Sequence, residues 1–270
     1  MSLRTRGDLC PGALRPWPAP DGLLVRLRLI GGVVPTSSLL ALSSISASYG
    51  DGLVHLTSRA NLQLRGLPGS TSALDPAVLA ALVSTGLLPC PTHELVRNVM
   101  VSPGPFGRAD LGPVAASLDE LLCADPVLAS LSGRFLFVLD DGRGDLLERE
   151  CDLGLVALSP SEAQLRVGTS FGPVVPLSSA AGALAELAHA FAVRRGAGAS
   201  APWHVAELDS PLVPTVDPDP RLPSPSAPLP FGDTHLPFPE GLTHDDVLAL
   251  SAPTVVVTPW RGVLIPEETA

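Results

Sequence analysis

The segment HLTSRANLQLRG, residues 55–66, places a histidine and two arginines in a stretch that otherwise alternates like a β-strand. Apolar residues on both sides of Ser58-Arg59-Ala60 predict two strands joined by a short turn. The charges are compatible with two interpretations. They either form the solvated rim of an ordinary hairpin or line a site for an anion.

The segment before this hairpin predicts a further strand with charges on one side. LLVRLRL, residues 23–29, alternates apolar residues with Arg26 and Arg28. Because successive side chains of a strand point to opposite faces, residues two apart share a face. The pattern therefore predicts that Arg26 and Arg28 lie side by side on a wet or ligand-facing surface.

Two helices complete the predicted N-terminal unit. After Pro35, Thr36 and Ser37 are suited to cap a helix with a core-facing apolar stripe that ends at Gly50. A second helix is predicted for residues 73–84. The order is strand, helix, strand, strand, and then helix.

The rest of the chain predicts a mixture of helices and strands. The predicted elements are helix 118–122, a buried strand entering an Asp/Gly turn within 134–145, a hairpin of 152–158 with 164–167, helix 180–194 and helix 243–250. VVVTPWRGVLI, residues 255–265, echoes VHLTSRANLQL, residues 54–64: an apolar strand, Thr, a short break with Arg, then another strand. This echo predicts an internal duplication with one copy near each end.

Composition and charge divide the chain into regions. The predicted boundaries are 8–85, 89–197, a Pro-rich linker at 198–230, and 231–270; residues 201–230 contain nine prolines. The net charge of −10 argues against general nucleic-acid affinity. Residues 1–70 nevertheless carry seven arginines against three acids, so the anion-attracting part is N-terminal. No apolar run approaches the ~20 residues of a membrane span, and a cytoplasmic location is expected.

Several combinations of chemical groups have ordinary structural interpretations. Asp140 and Asp141 precede a glycine after a strand, a pattern typical of a turn. The cluster near the C-terminal end reads as loop and helix start rather than a metal site; it comprises His235, His244, Asp245 and Asp246. The cysteines lack the close spacing of zinc or iron–sulfur ligands; they are Cys10, Cys90, Cys123 and Cys151.

The arginines are the stronger candidates for a binding function. A guanidinium stays charged at neutral pH and matches a carboxylate with two parallel hydrogen bonds, so several converging arginines make a clamp for a polyanion. The alternative is that each is solvated or paired with a surface acid. The residues considered are Arg26, Arg28, Arg59, Arg65 and Arg97.

The motifs resemble those of the nitrite/sulfite reductase superfamily. The resemblance rests on CPGALRPWPAPDGLLVRLRLIGG at 10–32, YGDGLVHLTSRANLQLRGL at 49–67 and VRNVMVSP at 96–103. The opening CPGALR, the Asp-Asp-Gly turn and the closing TPWRGVLIP are most similar to the branch that acts in aerobic cobalamin biosynthesis. The resemblance implies an α+β fold: a ferredoxin-like half-domain, a sirohaem-type α/β domain and a second, C-terminally truncated half-repeat.

The resemblance also implies site residues and cofactors. It assigns tetrapyrrole or anion binding to Arg26, Arg59 and Arg97, with weaker support for Arg28, and Arg134 stands where the reductases have a basic residue. Leu136 stands where the reductases have a second lysine, which disfavours sulfite or nitrite reduction. Members hold sirohaem or another tetrapyrrole and a [4Fe–4S] cluster on a C-x5-C and C-x3-C pattern, which this sequence lacks.

Three functions follow as alternatives. The first, implied by the resemblance, is an oxidoreductase that hydroxylates precorrin-3A with dioxygen and closes a lactone. It is either complete in function or paired with a missing half, which a separate chain could carry, and its electron donor is unknown. The second is a non-catalytic protein that binds a carboxylated tetrapyrrole. The third is a fragment without stable function. Catalytic residues are not assigned by the sequence, and neither nucleic acid nor a membrane is an expected partner.

Overall fold

A computed structural model describes residues 8–104, 106–198, 200–227 and 234–266. Its strands in this part of the chain are β1 Trp17–Ala19, β2 Gly22–Leu27, β3 Val33–Pro35, β4 His55–Leu56, β5 Leu62–Leu67, β6 Val99–Val101, β7 Phe137–Asp140, β8 Leu153–Ala157, β9 Glu162–Val167, β10 Ser170–Pro176, β11 His235–Pro237, β12 Thr254–Val257 and β13 Gly262–Leu264. Its α-helices are α1 Thr36–Tyr49, α2 Pro76–Ser84, α3 Gly112–Ala124, α4 Leu177–Arg195 and α5 His244–Leu248. Strands and helices are interspersed along the chain.

The described chain forms two compact units. Residues 10–94 with 234–266 make one, named here the duplicated unit, and residues 8–9 with 95–227 make the other, named the α/β unit. The predicted first and last regions, 8–85 and 231–270, therefore contribute to the same unit.

The duplicated unit contains two similar sheets. One has the strand order β1-β2-β5-β4, and the other has β11-β13-β12-β3. In the first repeat, β4 and β5 form an antiparallel hairpin, and β5 also pairs with β2. In the second repeat, β12 and β13 form the corresponding hairpin, and β13 also pairs with β11. Helix α1 precedes the first hairpin, and α5 precedes the second.

The two repeats exchange backbone pairing in a reciprocal way. The strand before α1 pairs with the second repeat, because Val34 lies opposite Val255. The segment before α5 pairs with the first repeat through a bridge between Leu242 and Val54. Val54 and Val255 hold the same place in the two echoed sequences, so the internal duplication expected from the sequence is present in the fold.

The turns of the two hairpins have the same hydrogen bonds. Ala60 N–H donates to Thr57 O at 3.0 Å, and Arg261 N–H donates to Thr258 O at 3.2 Å. Ala60 and Arg261 both have positive φ, 56° and 55°, a conformation that side chains other than glycine rarely adopt. The backbone geometry of the turn has therefore been kept in both repeats despite different residues.

A glycine permits the close approach of the repeats. Gly32 has φ of +75°, its carbonyl accepts a hydrogen bond from Val257 N–H at 2.8 Å, and a Cβ there would lie 2.0 Å from Val257 O. Only glycine satisfies both the dihedral angle and the space. The Gly31-Gly32 break that follows the first strand is thus part of the contact between repeats.

The α/β unit is built on the sheet β10-β9-β8-β7-β6. Strands β6, β7 and β8 are parallel, and β9 and β10 continue the sheet antiparallel. Every residue of β7 and β8 is buried, as in strands covered on both faces. Phe135, Phe137 and Phe191 form an aromatic cluster with ring centroids 5.1–5.2 Å apart, which joins β7 to α4.

Two helix starts differ from the prediction. Helix α1 begins at Thr36 but has no side-chain cap; Thr36 Oγ1 instead donates to Ala252 O at 2.5 Å in the second repeat. Helix α2 begins at Pro76 rather than residue 73, because proline fits the first helical position and disfavours helical backbone in the residue before it. Among the described residues, the helices are too short or too polar to cross a membrane.

Candidate functional site

The first repeat displays a row of polar side chains across its sheet. Arg26 of β2 lies opposite Gln63 of β5, and Gln63 lies opposite His55 of β4. Directly paired residues in a sheet point to the same face, so the three side chains form one row. The adjacent row of Leu27, Leu62 and Leu56 is buried in the core, and the polar row therefore lies on the opposite face.

Hydrogen bonds fix the side chains of this row. Arg26 Nη2 donates to Gln63 Oε1 at 3.1 Å. His55 Nε2 lies 2.7 Å from Asp51 Oδ2. All three side chains of the row are half-buried. The row thus places guanidinium, amide and imidazole groups on one partly buried surface. These groups are suited to bind carboxylates.

Arg59 and Arg28 flank the row in different ways. Arg59 lies in the turn between β4 and β5, next to Ala60, where Thr57 Oγ1 accepts its backbone N–H at 3.4 Å. Arg28 follows the end of β2 and is 3% exposed; its Nη1 donates to Pro11 O at 3.2 Å. Arg28 therefore stabilises the segment that begins at Cys10. This contact gives Arg28 a structural role, the alternative to ligand binding.

The same N-terminal segment has a second anchor. Glu94 is buried, and its carboxylate accepts the N–H groups of Ala13 at 2.8 Å and Leu14 at 3.0 Å. Arg15 Nη2 donates to Cys10 O at 3.1 Å within the segment. The CPGALR motif is therefore an ordered loop of the duplicated unit.

Arg97 and Arg134 belong to the α/β unit. Arg97 Nε and Nη2 donate to the two oxygens of Asp119 at 2.6 and 2.7 Å, and the arginine side chain is 9% exposed. The guanidinium of Arg134 stacks 5.3 Å from the ring centre of Trp203. The convergence of these two arginines with Arg26 and Arg59 on a single ligand stays a prediction.

Arg65 of β5 has a structural role in the first sheet. Its Nε lies 3.0 Å from Asp21 Oδ2, and both side chains are well exposed. Hydrogen bonding to Arg65 lowers the pKa of Asp21. An exposed pair of this kind contributes little to stability.

The α/β unit buries an acidic loop after β7. Asp140 accepts the backbone N–H groups of Gly142, Gly144 and Leu146 at 2.9–3.0 Å, so it forms the turn expected from the sequence. Ligand atoms of Asp140, Asp141 and Asp145 lie within 4.8 Å of one another. The sequence prediction considered the first two carboxylates and did not include Asp145.

An arginine already neutralises this acidic loop. Arg143 Nε lies 3.0 Å from Asp141 Oδ1, and its Nη2 lies 3.1 Å from Asp145 Oδ2. Burial raises the pKa of Asp141 to about 6 and also raises that of Asp145. A guanidinium between the carboxylates supplies the positive charge that a cation would bring, and the loop is best described as a buried ion-pair network.

Two members of the polar row were missed by the sequence prediction. Gln63 and His55 lie outside the set of arginines that the prediction considered, and they do not form a cluster in the sequence. His55 and Gln63 nevertheless lie at equal distances in sequence from Arg59. The two antiparallel strands of a hairpin pair residues symmetrically around the turn. The equal spacing of His55 and Gln63 around the turn is therefore the sequence signal that could have predicted their pairing.

Comparisons with known proteins define the class. Residues 17–73, which contain the polar row, match the family model of the nitrite/sulfite reductase ferredoxin-like half domain. The resemblance predicted from the motifs and the α+β fold class are thereby confirmed. The NirA protein of Mycobacterium tuberculosis has a similar fold, with a TM-score of 0.62 and 16% identity over 98% of this chain and 58% of that one.

One protein that the chain resembles is precorrin-3B synthase. The Sinorhizobium sp. enzyme is 29% identical over 137 residues, which are 51% of this chain and 29% of that protein. Sulfite reductase [NADPH] hemoprotein beta-components are similar over 37% of this chain and 18% of their own length, at 29% identity in Staphylococcus carnosus and 34% in Shouchella clausii. The chain thus covers less than a third of these curated relatives.

The residues present fit the two expected cofactors differently. The polar row has the donors that tetrapyrrole carboxylates require. The cysteines Cys10, Cys90, Cys123 and Cys151 show neither the C-x5-C nor the C-x3-C spacing expected for a [4Fe–4S] cluster. The chain's own cysteines do not fit the cluster.

Proposed function

We propose that the outer face of the first repeat binds the carboxylates of a tetrapyrrole. The observation that carries this proposal is the row of Arg26, Gln63 and His55, held in register across three strands. Gln63 orients the guanidinium through the 3.1 Å hydrogen bond, which lowers the entropy lost when a carboxylate binds. Arg59 at the hairpin turn is a further proposed contact, with Arg28 as a supporting residue.

The proposed reaction is that of a precorrin-3B synthase-like oxidoreductase. It is the oxygen-dependent hydroxylation of precorrin-3A with lactone formation, in cobalamin biosynthesis and in the cytoplasm. The contribution of this chain is to bind and orient a macrocycle that carries eight carboxylates. The redox chemistry requires an iron–sulfur centre, which we place outside residues 1–270 because the four cysteines here do not fit one; the electron donor belongs to the same proposal.

A second candidate is a non-catalytic tetrapyrrole-binding protein. The absence of the cysteine pattern from this sequence favours it. Iron analysis and turnover of precorrin-3A, measured on the full chain with and without a cluster-bearing partner, separate the two candidates. Turnover with the partner supports the oxidoreductase, and binding of the macrocycle without turnover supports the binding protein.

Binding itself is tested with uroporphyrin, an octacarboxylate porphyrin, by fluorescence titration of the full chain. We expect Arg26→Gln to weaken binding at least ~10-fold, the effect of one charge-assisted carboxylate contact. Arg221→Gln is the matched control: it removes the same charge from an exposed ion pair with Asp219 and Glu162. Equal effects of the two substitutions would reduce the binding to a general effect of net charge and contradict the proposal.

A further inference from the structure

A cysteine and a histidine meet in one short turn outside the polar row. Pro91–His93 form a single 3-10 turn, in which His93 N–H donates to Cys90 O at 3.0 Å. Side chains three residues apart in such a turn lie above one another. The result is a distance of 3.2 Å between Cys90 Sγ and His93 Nδ1. The proposed tetrapyrrole function uses neither residue.

The surroundings hold the imidazole and leave the thiol accessible. His93 is 4% exposed, while Cys90 is half-buried. Thr92 Oγ1 lies 2.9 Å from the same Nδ1 and 3.7 Å from Sγ. The neighbouring carboxylate of Glu94 is engaged by the backbone N–H groups of the N-terminal loop. The ring is therefore fixed with one nitrogen directed at a thiol that small molecules can reach.

We propose that Cys90 is a reactive nucleophile, activated by His93, and that this turn is a site of covalent modification by small uncharged electrophiles. With iodoacetamide as the probe, Sγ forms a bond to the methylene carbon while the carbon–iodine bond breaks and iodide leaves. The thiol proton passes from Sγ to His93 Nδ1. A nucleophile with a base at hydrogen-bond distance is the arrangement that activates thiols in general.

Another cysteine of the chain provides an internal control. Burial raises the pKa of Cys151 to about 11, and its Sγ lies 3.8 Å from Gly168 O rather than near an imidazole. A thiol with a raised pKa forms little thiolate at neutral pH and reacts slowly. Cys151 should therefore be protected in the native chain and become reactive on unfolding.

The first test compares the labelling rate of each thiol in the native chain with its rate in the unfolded chain. The full chain is pulsed with iodoacetamide at pH 7, native and in concentrated urea, and the labelled peptides are quantified by mass spectrometry. We expect native Cys90 to react severalfold faster than unfolded Cys90, although burial alone would slow it, and native Cys151 to react much more slowly than unfolded Cys151. A native Cys90 that reacts more slowly than its unfolded form would overturn the proposal.

The second test removes the base. His93→Gln should lower the native labelling rate of Cys90 ~10-fold or more, at the low end of what a positioned base contributes. Thr92→Val, which keeps the imidazole, should stay within about twofold of the wild type. Protection of Cys151 reports whether each variant is folded. If His93→Gln is folded and labels like the wild type, His93 is not the activating group; if it unfolds, the native-to-unfolded comparison in the wild type decides.

Discussion

The two repeats of the duplicated unit share a backbone and differ in one row of side chains across corresponding strands. In the first repeat this row is Arg26, Gln63 and His55. In the second, the same pairing gives His235, Leu264 and Val256. The first row has a cation beside an amide and an imidazole, whereas the second has an imidazole and two apolar side chains, of which Leu264 is buried.

At the position of Arg26 the second repeat has an imidazole whose neutral form is favoured by burial. His235 Nε2 lies 2.9 Å from Thr258 Oγ1, and burial lowers the pKa of this imidazole. An arginine, by contrast, stays charged at any physiological pH. The two copies share a backbone frame, and under the proposed function these three side chains decide which copy binds an anion.

The largest expected effect concerns the contact between the repeats. Gly32→Ala should lower the free energy of unfolding by at least ~3 kcal/mol, because the new methyl group collides with Val257 O and the backbone is strained as well. Gly52→Ala is the control, since Gly52 also has positive φ, +86°, but no atom within 4 Å of the added Cβ. We expect ~1 kcal/mol there. Equal losses in urea unfolding would show that strain, rather than the contact between repeats, is what matters.

The next effect sharpens the difference between the rows. Gln63→Leu gives the first repeat the residue that the second has at the corresponding position, Leu264, and removes the partner of Arg26. We expect uroporphyrin affinity to fall about 5- to 10-fold, near 1 kcal/mol. The substitution should change the urea midpoint little. Unaltered affinity would mean that Gln63 does not orient the guanidinium.

The acidic loop of the α/β unit offers a contrast, since its charge is buried rather than displayed. Asp141 has a pKa raised from 3.8 to about 6, so the native chain binds the proton more tightly than the unfolded chain does. Wild-type stability contributed by this group therefore falls as pH rises from about 4 to 6. Relative to the wild type, Asp141→Asn should gain stability over that interval. A stability difference that is constant from pH 4 to 7 in urea unfolding would contradict this.

The smallest effect compares the two turns. Arg261→Gly should stabilise the chain by ~0.5 kcal/mol, because glycine relieves the strain of positive φ at an exposed position. Ala60→Gly should gain nothing, since Ala60 is 2% exposed and its buried methyl group is lost. Thermal unfolding of the two variants measures the difference. A larger gain in stability from Ala60→Gly than from Arg261→Gly would contradict the stabilising role of the buried Ala60 methyl group.

Sequence reasoning predicted the parts of the fold with local signals. The helix that ends at Gly50 and the duplicated hairpins were found because periodicity, glycine and the repeated Thr-to-Arg spacing are visible in the chain. Strands of three residues, such as β3 and β11, are too short to show a period. Their existence depends on pairing with distant partners: Val34 with Val255, and His235 with Leu264.

The candidate site was predicted in part for the same reason. Arg26 was recognisable as a charge within a strand. Its partnership with Gln63 and His55 depends on register across strands, and the burial of Arg28 depends on a loop that begins at Cys10. Arg97 was predicted as a ligand-binding residue, and its bidentate pairing with Asp119 on a helix more than 20 residues away is a tertiary contact that no local pattern contains.

The most direct test of the account is the affinity of uroporphyrin for Arg26→Gln and for His235→Gln, two corresponding positions of the duplicated unit. The account predicts a loss of at least ~10-fold for Arg26→Gln and an affinity for His235→Gln equal to that of the wild type. Equal losses at both positions, or none at Arg26, would contradict the claim that the first repeat alone presents the anion-binding face.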